Sequence, residues 1–361
     1  MRFEHIFAAA ILITAAGLGA NALRAESPPG VGAAVAVPVT TTPLPLNRDD
    51  PAQDSIGALK FMGAVQIRST DGRFGGISGL RAGAPTPGGV QMLAITDTGN
   101  WLAFTTIEAG GRLSGVANML MAPLPQPGGK PAATKSEVDA EAIEWDPANG
   151  AAMVAYEQDH RFAWFTGIDP ARPASLAAPP VRTEHLTEMI AWPANNGAEA
   201  SALLPDGTRI AIAESTLRPD GSRMALVTRQ GVTREIGITG VDGFSPTDAI
   251  ALDATTLLVL HRRFSPLGGV GTALISVDLA PALGAAPPTT PLGSKLLARW
   301  AAPLTLDNME GLALVRSGGR TFVYMVSDDN LSSLQRTLLM KFELIGPPAA
   351  PATSTRTAAR P

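Results

Sequence analysis

"VYMVSDDNLSSLQRTLLMKFEL", Val323 to Leu344, decides how this chain is read. Its apolar run, Val323 to Val326, stops abruptly at Ser327-Asp328-Asp329-Asn330. β-Branched and aromatic residues make the run a buried strand. Two adjacent acids at the end of such a strand are costly unless something compensates them. A second strand follows, "TLLMKFEL", and then only the Pro/Ala-rich "GPPAAPATSTRTAARP", residues 346–361. The last strand therefore needs a partner from somewhere else in the chain.

The same ending occurs four times upstream. A small or polar lead-in precedes a Ser, Glu or Asp, a short apolar strand follows, and a second apolar strand closes on a charged residue. The copies are "GGISGL" with "MLAITDTGN", "DAEAIEWDPANG" with "AMVAYEQDH", "NNGAEASALLPDGT" with "RIAIAES", "SPTDAIALDAT" with "TLLVLHRRF", and "DNMEGLALVRSGGR" with "TFVYMVSDDN". The first anchors are Ser78, Glu141, Glu199, Asp248 and Glu310, and the second anchors are Asp97, Glu157, Glu214, His261 and Asp328. Within a copy the two lie 13 to 19 residues apart, and successive first anchors lie 49 to 63 apart. Two more strand-like runs fit into each period, which predicts four-stranded blades of a β-propeller. The counts of 37 Gly and 31 Pro suit many short strands and turns rather than long helices.

The fifth copy has only three strands. "ALKFMGAVQIR", Ala58 to Arg68, precedes the first copy and supplies the fourth. Pairing the chain's two ends closes the ring and removes exposed edges. The expected fold is thus an all-β propeller of five blades, with a sixth, degenerate blade in the long loops left open. The propeller domain spans 54–345, a Pro/Ala-rich linker 26–53, and a tail 346–361.

At 45% hydrophobic and 17% charged residues, the chain can bury a large core, and a net charge of -4 gives no global signal for nucleic acid. The absence of cysteine excludes disulfides, thiolate metal sites and cysteine nucleophiles. Residues 1–25 read as a secretory signal: Arg2, an apolar stretch from Ile6 to Leu18, and small residues that fit cleavage after Ala22 or Ala25. The expected location is periplasmic or secreted, with no membrane span after cleavage and a monomeric chain.

In a propeller the first strand of each blade lines a central channel. The first anchors then gather at one mouth, and each second strand returns its anchor beside them. Up to eight carboxylates would crowd there, and they must share protons or find cations. Hard oxygen ligands from several loops suit Ca²⁺. Glu141, Glu199, Glu310 and Asp328 are the expected metal ligands, with neutral oxygens available from Asn196, Asn308 and Asn330. Glu157 or Glu214 would act as general base, and Arg262 would hold an anionic substrate group. Ser78, Asp97, Asp248, His261, Asp329 and Asn330 complete the candidates. The alternative is that most anchors only bond loop backbones between blades.

Other constellations are weak. "GGISGL" has Leu80 where a nucleophile elbow needs its last Gly. The histidines show no zinc-ligand spacing. Trp101, Trp145 and Trp164 read as blade core.

"FGGISGL", "AITDTGNW", "DAEAIEWDP", "AYEQDHRF", "NNGAEASALLPDG", "LLVLHRRFSP", "DNMEGLAL" and "SDDNLSSLQRTLLMKFEL" resemble, in order and spacing, the phytase-like family described as having esterase-like activity of phytase, a group of exported bacterial proteins. The resemblance runs from about Gly75 to Leu344. Two positions depart from it: His261 stands where the family usually has Glu before an Arg, and Gln158 where an Arg is common. The resemblance implies a β-propeller and hydrolysis of phosphate or carboxylic esters. A non-catalytic envelope propeller binding a small ligand or a protein, and a lactonase-like enzyme, are the other readings.

Overall fold

The computed structural model describes residues 32–130, 132–193, 197–265 and 268–346. The expected signal segment, Asn196 and the tail beyond Gly346 lie outside the described residues.

Four strands come first: β1 (Val35–Ala36), β2 (Val39–Leu44), β3 (Ser55–Ile56) and β4 (Leu59–Ser69). Blade 1 follows with β5 (Ile77–Thr86), β6 (Gly89–Thr96), β7 (Asn100–Ala109) and β8 (Arg112–Pro123). Blade 2 has β9 (Ala140–Asp146), β10 (Ala151–Tyr156), β11 (Arg161–Phe165) and β12 (Arg182–His185). Blade 3 has β13 (Ala200–Leu203), β14 (Arg209–Leu217), β15 (Arg223–Arg229) and β16 (Val232–Ile238). Blade 4 has β17 (Ser245–Ala251), β18 (Thr256–Ser265), β19 (Gly269–Asp278) and β20 (Ser294–Ala301). Blade 5 has β21 (Asn308–Ser317), β22 (Arg320–Asp328) and β23 (Thr337–Leu344), and β4 completes it.

All strands among the described residues belong to five antiparallel sheets, so the count is five blades, not six. The first strands β5, β9, β13, β17 and β21 pack successively, and β21 returns to β5 to close the ring. The closing register runs from Thr337 opposite Ile67 to Leu344 opposite Leu59. "TLLMKFEL" thus finds its partner in β4.

The apolar runs are continuous rather than alternating because blades pack face to face. One cluster joins blades 5 and 1 through Val65, Leu80, Phe104 and Tyr324. Another joins blades 1 and 2, where Trp101 meets Phe165 edge-on at 5.2 Å. Trp101 and Trp145 are core residues; Trp164 is half-buried beneath the Arg182 guanidinium.

The described part of the 26–53 segment, residues 32–53, differs from its reading as a linker. β2 pairs along β4, from Val39 opposite Ser69 to Leu44 opposite Ala64, and β1 pairs β8. Val37 and Leu46 are buried. Proline content misled here: Pro43 lies on a strand paired on one side only, where a missing N–H costs little.

On the axis, where the five first strands converge, sits Arg81, 2% exposed. Its guanidinium donates to Asp248 at 2.8 and 3.1 Å and to Glu144 Oε1 at 2.7 Å. It also donates to the carbonyls of Leu80, Ser201, Ala249 and Leu312. One side chain therefore ties together all five blades. Burial works against its charge, but Asp248 and Glu144 outweigh it and raise its pKa.

Candidate functional site

Each first anchor sits at an irregularity near the start of its blade. The pairing skips one residue between Ile77 and Gly79, Ala140 and Ala142, Pro246 and Asp248, and Met309 and Gly311. The skipped residues are Ser78, Glu141, Thr247 and Glu310. A bulge of this kind re-aims a side chain out of the ladder. In blade 3 the Glu214 N–H donates to the Gly197 carbonyl while Ala200 pairs with Ile212, which gives Glu199 the same place.

Blade 4 is thus shifted by one residue from its sequence reading, on both strands. Its bulged residue is Thr247, not Asp248. Its second anchor is Arg262, which pairs with Ser245 two residues before the bulge, as Asp328 pairs with Asn308. Asp97 and Glu157 donate backbone N–H bonds to Gly76 and Asp139, two residues before their own bulges. The ring of second anchors is therefore Asp97, Glu157, Glu214, Arg262 and Asp328. Asp248 points to Arg81 on the axis. His261 is buried beside the Val259 carbonyl, and burial lowers its pKa to about 4, which keeps it neutral. The blade 4 sequence spacing of 13 residues was the odd value; Thr247 to Arg262 is 15, matching blade 3.

Where an anchor is a hydroxyl, it bonds the next blade. Ser78 Oγ donates to the Ala140 carbonyl at 2.5 Å and Thr247 Oγ1 to the Met309 carbonyl at 3.0 Å. Ser78 is thus held as a blade-to-blade tie. Where an anchor is Glu, it lines a cavity of about 460 Å³ at the mouth. Among the described residues, seven carboxylates line this cavity, Asp97, Asp139, Glu141, Glu157, Glu199, Glu310 and Asp328, against two cations, Lys135 and Arg262.

Asp139, Glu141 and Glu157 each offer a carboxylate oxygen, and these oxygens lie within 4.8 Å of one another. Asp139 was not among the sequence candidates, although it stands two residues before Glu141 in "DAEAIEW". Its carboxylate accepts from Gln158 Nε2, and Lys135 Nζ lies 3.9 Å away. On the other side, Arg262 Nε lies 2.9 Å from Glu310 Oε1 and Nη2 lies 3.4 Å from Glu214 Oε1. Asn308 Nδ2 donates to Glu310 Oε1 at 2.7 Å.

Burial, with mutual repulsion, pushes Glu141, Glu199, Asp328, Glu310 and Asp97 toward their neutral forms. Glu141 is raised well above its ordinary value by burial, then by Glu199, Asp139 and Glu157. Glu199 is raised by burial and by Glu310 and Glu214. Asp328 is raised by burial and Asp97. Burial takes Glu310 to about 7 and Asp97 to about 6. The Arg262 pKa goes up, chiefly because of Glu310.

Glycine makes room for this charge. Gly76 has φ +64°, and a Cβ there would stand 2.1 Å from Asp97 Oδ1. That same oxygen is buried without a hydrogen-bond partner. An all-oxygen donor set with an orphaned, buried carboxylate oxygen fits a hard cation.

The acidic end of β22 divides here. Asp328 lines the cavity. Asp329 is a loop fastener: Oδ1 accepts from the Gly76 and Leu331 N–H groups, and Oδ2 from Thr337 Oγ1 at 3.0 Å. Asn330, at φ +48°, lines the cavity and bonds Gln335 at 3.0 Å.

Fold and site together define a five-bladed propeller with an acidic mouth on its axis. The chain belongs to the phytase-like family, esterase-like activity of phytase, whose model matches residues 72–331. No curated protein sequence matches it. Among solved structures, it is similar to a GH43_1 enzyme from Xanthomonas citri at 10% identity and TM-score 0.40, covering 74% of this chain and 88% of that one. The RS223 β-xylosidase gives 10% and 0.40, covering 78% and 94%. The allergen Mala s 1 of Malassezia sympodialis gives 12% and 0.39, covering 79% and 88%. No helix among the described residues is long and apolar enough to cross a membrane.

Proposed function

We propose that this chain is an exported, monomeric hydrolase of phosphate or carboxylic esters that works at the acidic mouth with Ca²⁺. The supporting observation is the Asp139–Glu141–Glu157 oxygen cluster facing a cavity that Arg262 also lines. Asp139, Glu141 and Glu157 would hold the cation, with Asp97 and Glu199 close enough to add charge. Bound Ca²⁺ would polarise the ester oxygen and lower the pKa of water at the site. Glu157 is drawn into that cluster, so Glu214 is the better general base for the attacking water. Arg262 holds the anionic part of the substrate while balancing Glu310.

The test uses purified protein with phytate, aryl phosphates and acyl esters, each with Ca²⁺ and with chelator. Turnover that needs Ca²⁺ supports the reading. Absence of turnover in every condition, with a melting temperature that chelation leaves unchanged, removes it and leaves a binding propeller.

A further inference from the structure

A second and larger cavity, about 790 Å³, lies next to the acidic mouth, and the two share Arg262 and Asn330 in their walls. Its chemistry is different. Phe264, Val270, Leu304, Leu306 and Leu334 supply apolar walls, and Asp307 is the one acidic residue among its described lining residues. Arg336 occupies that acid at 3.1 Å. Arg48, exposed on the rim, has no ion pair among the described residues. Phe264 is 71% and Leu334 92% exposed. Large apolar side chains this open are informative where they flank a concave site of ligand size.

We infer that this groove receives the apolar portion of the substrate, so that the ester acted on is an anionic amphiphile: a charged head at Arg262 and an alkyl or aryl group along Phe264 and Leu334. This rests on the mouth being the ester site. A fully polar polyphosphate would leave the groove's apolar walls wet and gain nothing from them. A cationic amphiphile would meet Arg48, which has no ion pair among the described residues, beside Arg262, while Asp307, the single acid among the groove's described lining residues, is already held by Arg336. Continuity through Arg262 places the junction of head and chain where the two cavities meet.

The test is calorimetric binding of n-alkylphosphonates, methyl to octyl, to the intact protein, which needs no turnover. Each buried methylene is worth about 0.8 kcal/mol, roughly fourfold in affinity. The expected result is a two- to fourfold fall in Kd per methylene, on the order of that limit, levelling once the groove is filled. Octylphosphonate should also bind far more tightly than octyltrimethylammonium. Phe264→Ala and Leu334→Ala should each flatten the chain-length slope and leave methylphosphonate unchanged. A Kd independent of chain length, a slope that neither variant alters, or no binding of octylphosphonate at millimolar concentration overturns the inference. Chain-dependent binding without ester turnover keeps the groove and removes the hydrolase; turnover without chain dependence does the reverse.

Discussion

Arg262 Nε lies 2.9 Å from Glu310 Oε1, so the second strand of blade 4 delivers a cation to the first strand of blade 5. It replaces, at the matching position, the acids that blades 1, 2, 3 and 5 carry. Arg262→Ala should leave Glu310 and Glu214 uncompensated. Removing one partner of a buried ion pair costs about 3–5 kcal/mol; protonation of Glu310 should reduce that to about 1–3 kcal/mol. Ester turnover should fall about a hundredfold, as for loss of a charge-stabilising donor, with Lys at 262 restoring stability better than activity. Thermal unfolding and steady-state kinetics check both; an Arg262→Ala enzyme with unchanged kcat/KM argues against any substrate role.

The raised acids predict a pH dependence of unusual sign in chelated protein. Asp97 moves from 3.8 to about 6 and Glu310 from 4.5 to about 7. Between the ordinary and raised values, the unfolded chain has released protons that the native state still holds. Stability therefore falls as pH rises through this window. The melting temperature of chelated protein should drop from pH 5 to pH 8, and Ca²⁺ should flatten the decline. A melting temperature that rises over this range would show that the acids are already compensated.

Arg81 makes a different prediction, because it lies on the axis and not in the mouth's wall. Arg81→Met leaves Asp248 buried and unpaired and removes four bonds to blade carbonyls. The expected loss is about 3–5 kcal/mol or more. The double variant Arg81→Met with Asp248→Asn should recover part of it. Chemical denaturation reads both, and equal stability of single and double variants would mean that the pair is not the source of the cost.

How far the sequence led follows from these residues. Blade number, strand order and ring closure were readable because repetition and apolar runs are properties of order along the chain. The register of blade 4 was not, because a bulge inserts one residue without any compositional mark. Asp248 has the right chemistry for an anchor, so it masked Thr247. Nothing local in the sequence marks Arg81; its place depends on five strands converging, which no local pattern encodes. Asp139 belongs to the mouth because the chain enters blade 2 there, two residues ahead of the bulge. β2 was hidden by prolines that an edge strand tolerates.

The oxygen cluster yields a prediction that separates a cation site from a structural one. Glu141→Gln removes a charge that burial and four neighbouring acids oppose. In chelated protein it should stabilise the fold by about 1 kcal/mol or more, since a tenfold change in a protonation equilibrium is worth about 1.4 kcal/mol. With Ca²⁺ it should do the opposite, through an affinity about tenfold weaker for one lost charged ligand. Melting curves with and without Ca²⁺ show the crossover. Loss of stability in both conditions would assign Glu141 to bonding between blades instead.

Gly76 tests whether the mouth's geometry is built by backbone as well as charge. At φ +64° an L-residue is strained by about 1–2 kcal/mol. The added Cβ of Gly76→Ala would also press on Asp97 Oδ1, the buried oxygen that lacks a partner. Asp97 cannot retreat freely, because its strand is fixed by the Asp97 N–H bond to the Gly76 carbonyl. The carboxylate must rotate away from the cavity or the β5 lead-in must shift. Gly76→Ala should therefore lower stability and also weaken Ca²⁺ binding, whereas Gly72→Ala, with nothing within 4 Å of its Cβ, should do neither. The comparison is read by calorimetry on both variants. Ca²⁺ affinity unchanged in Gly76→Ala, despite the lost stability, would place the bound cation away from Asp97 and confine it to Asp139, Glu141 and Glu157.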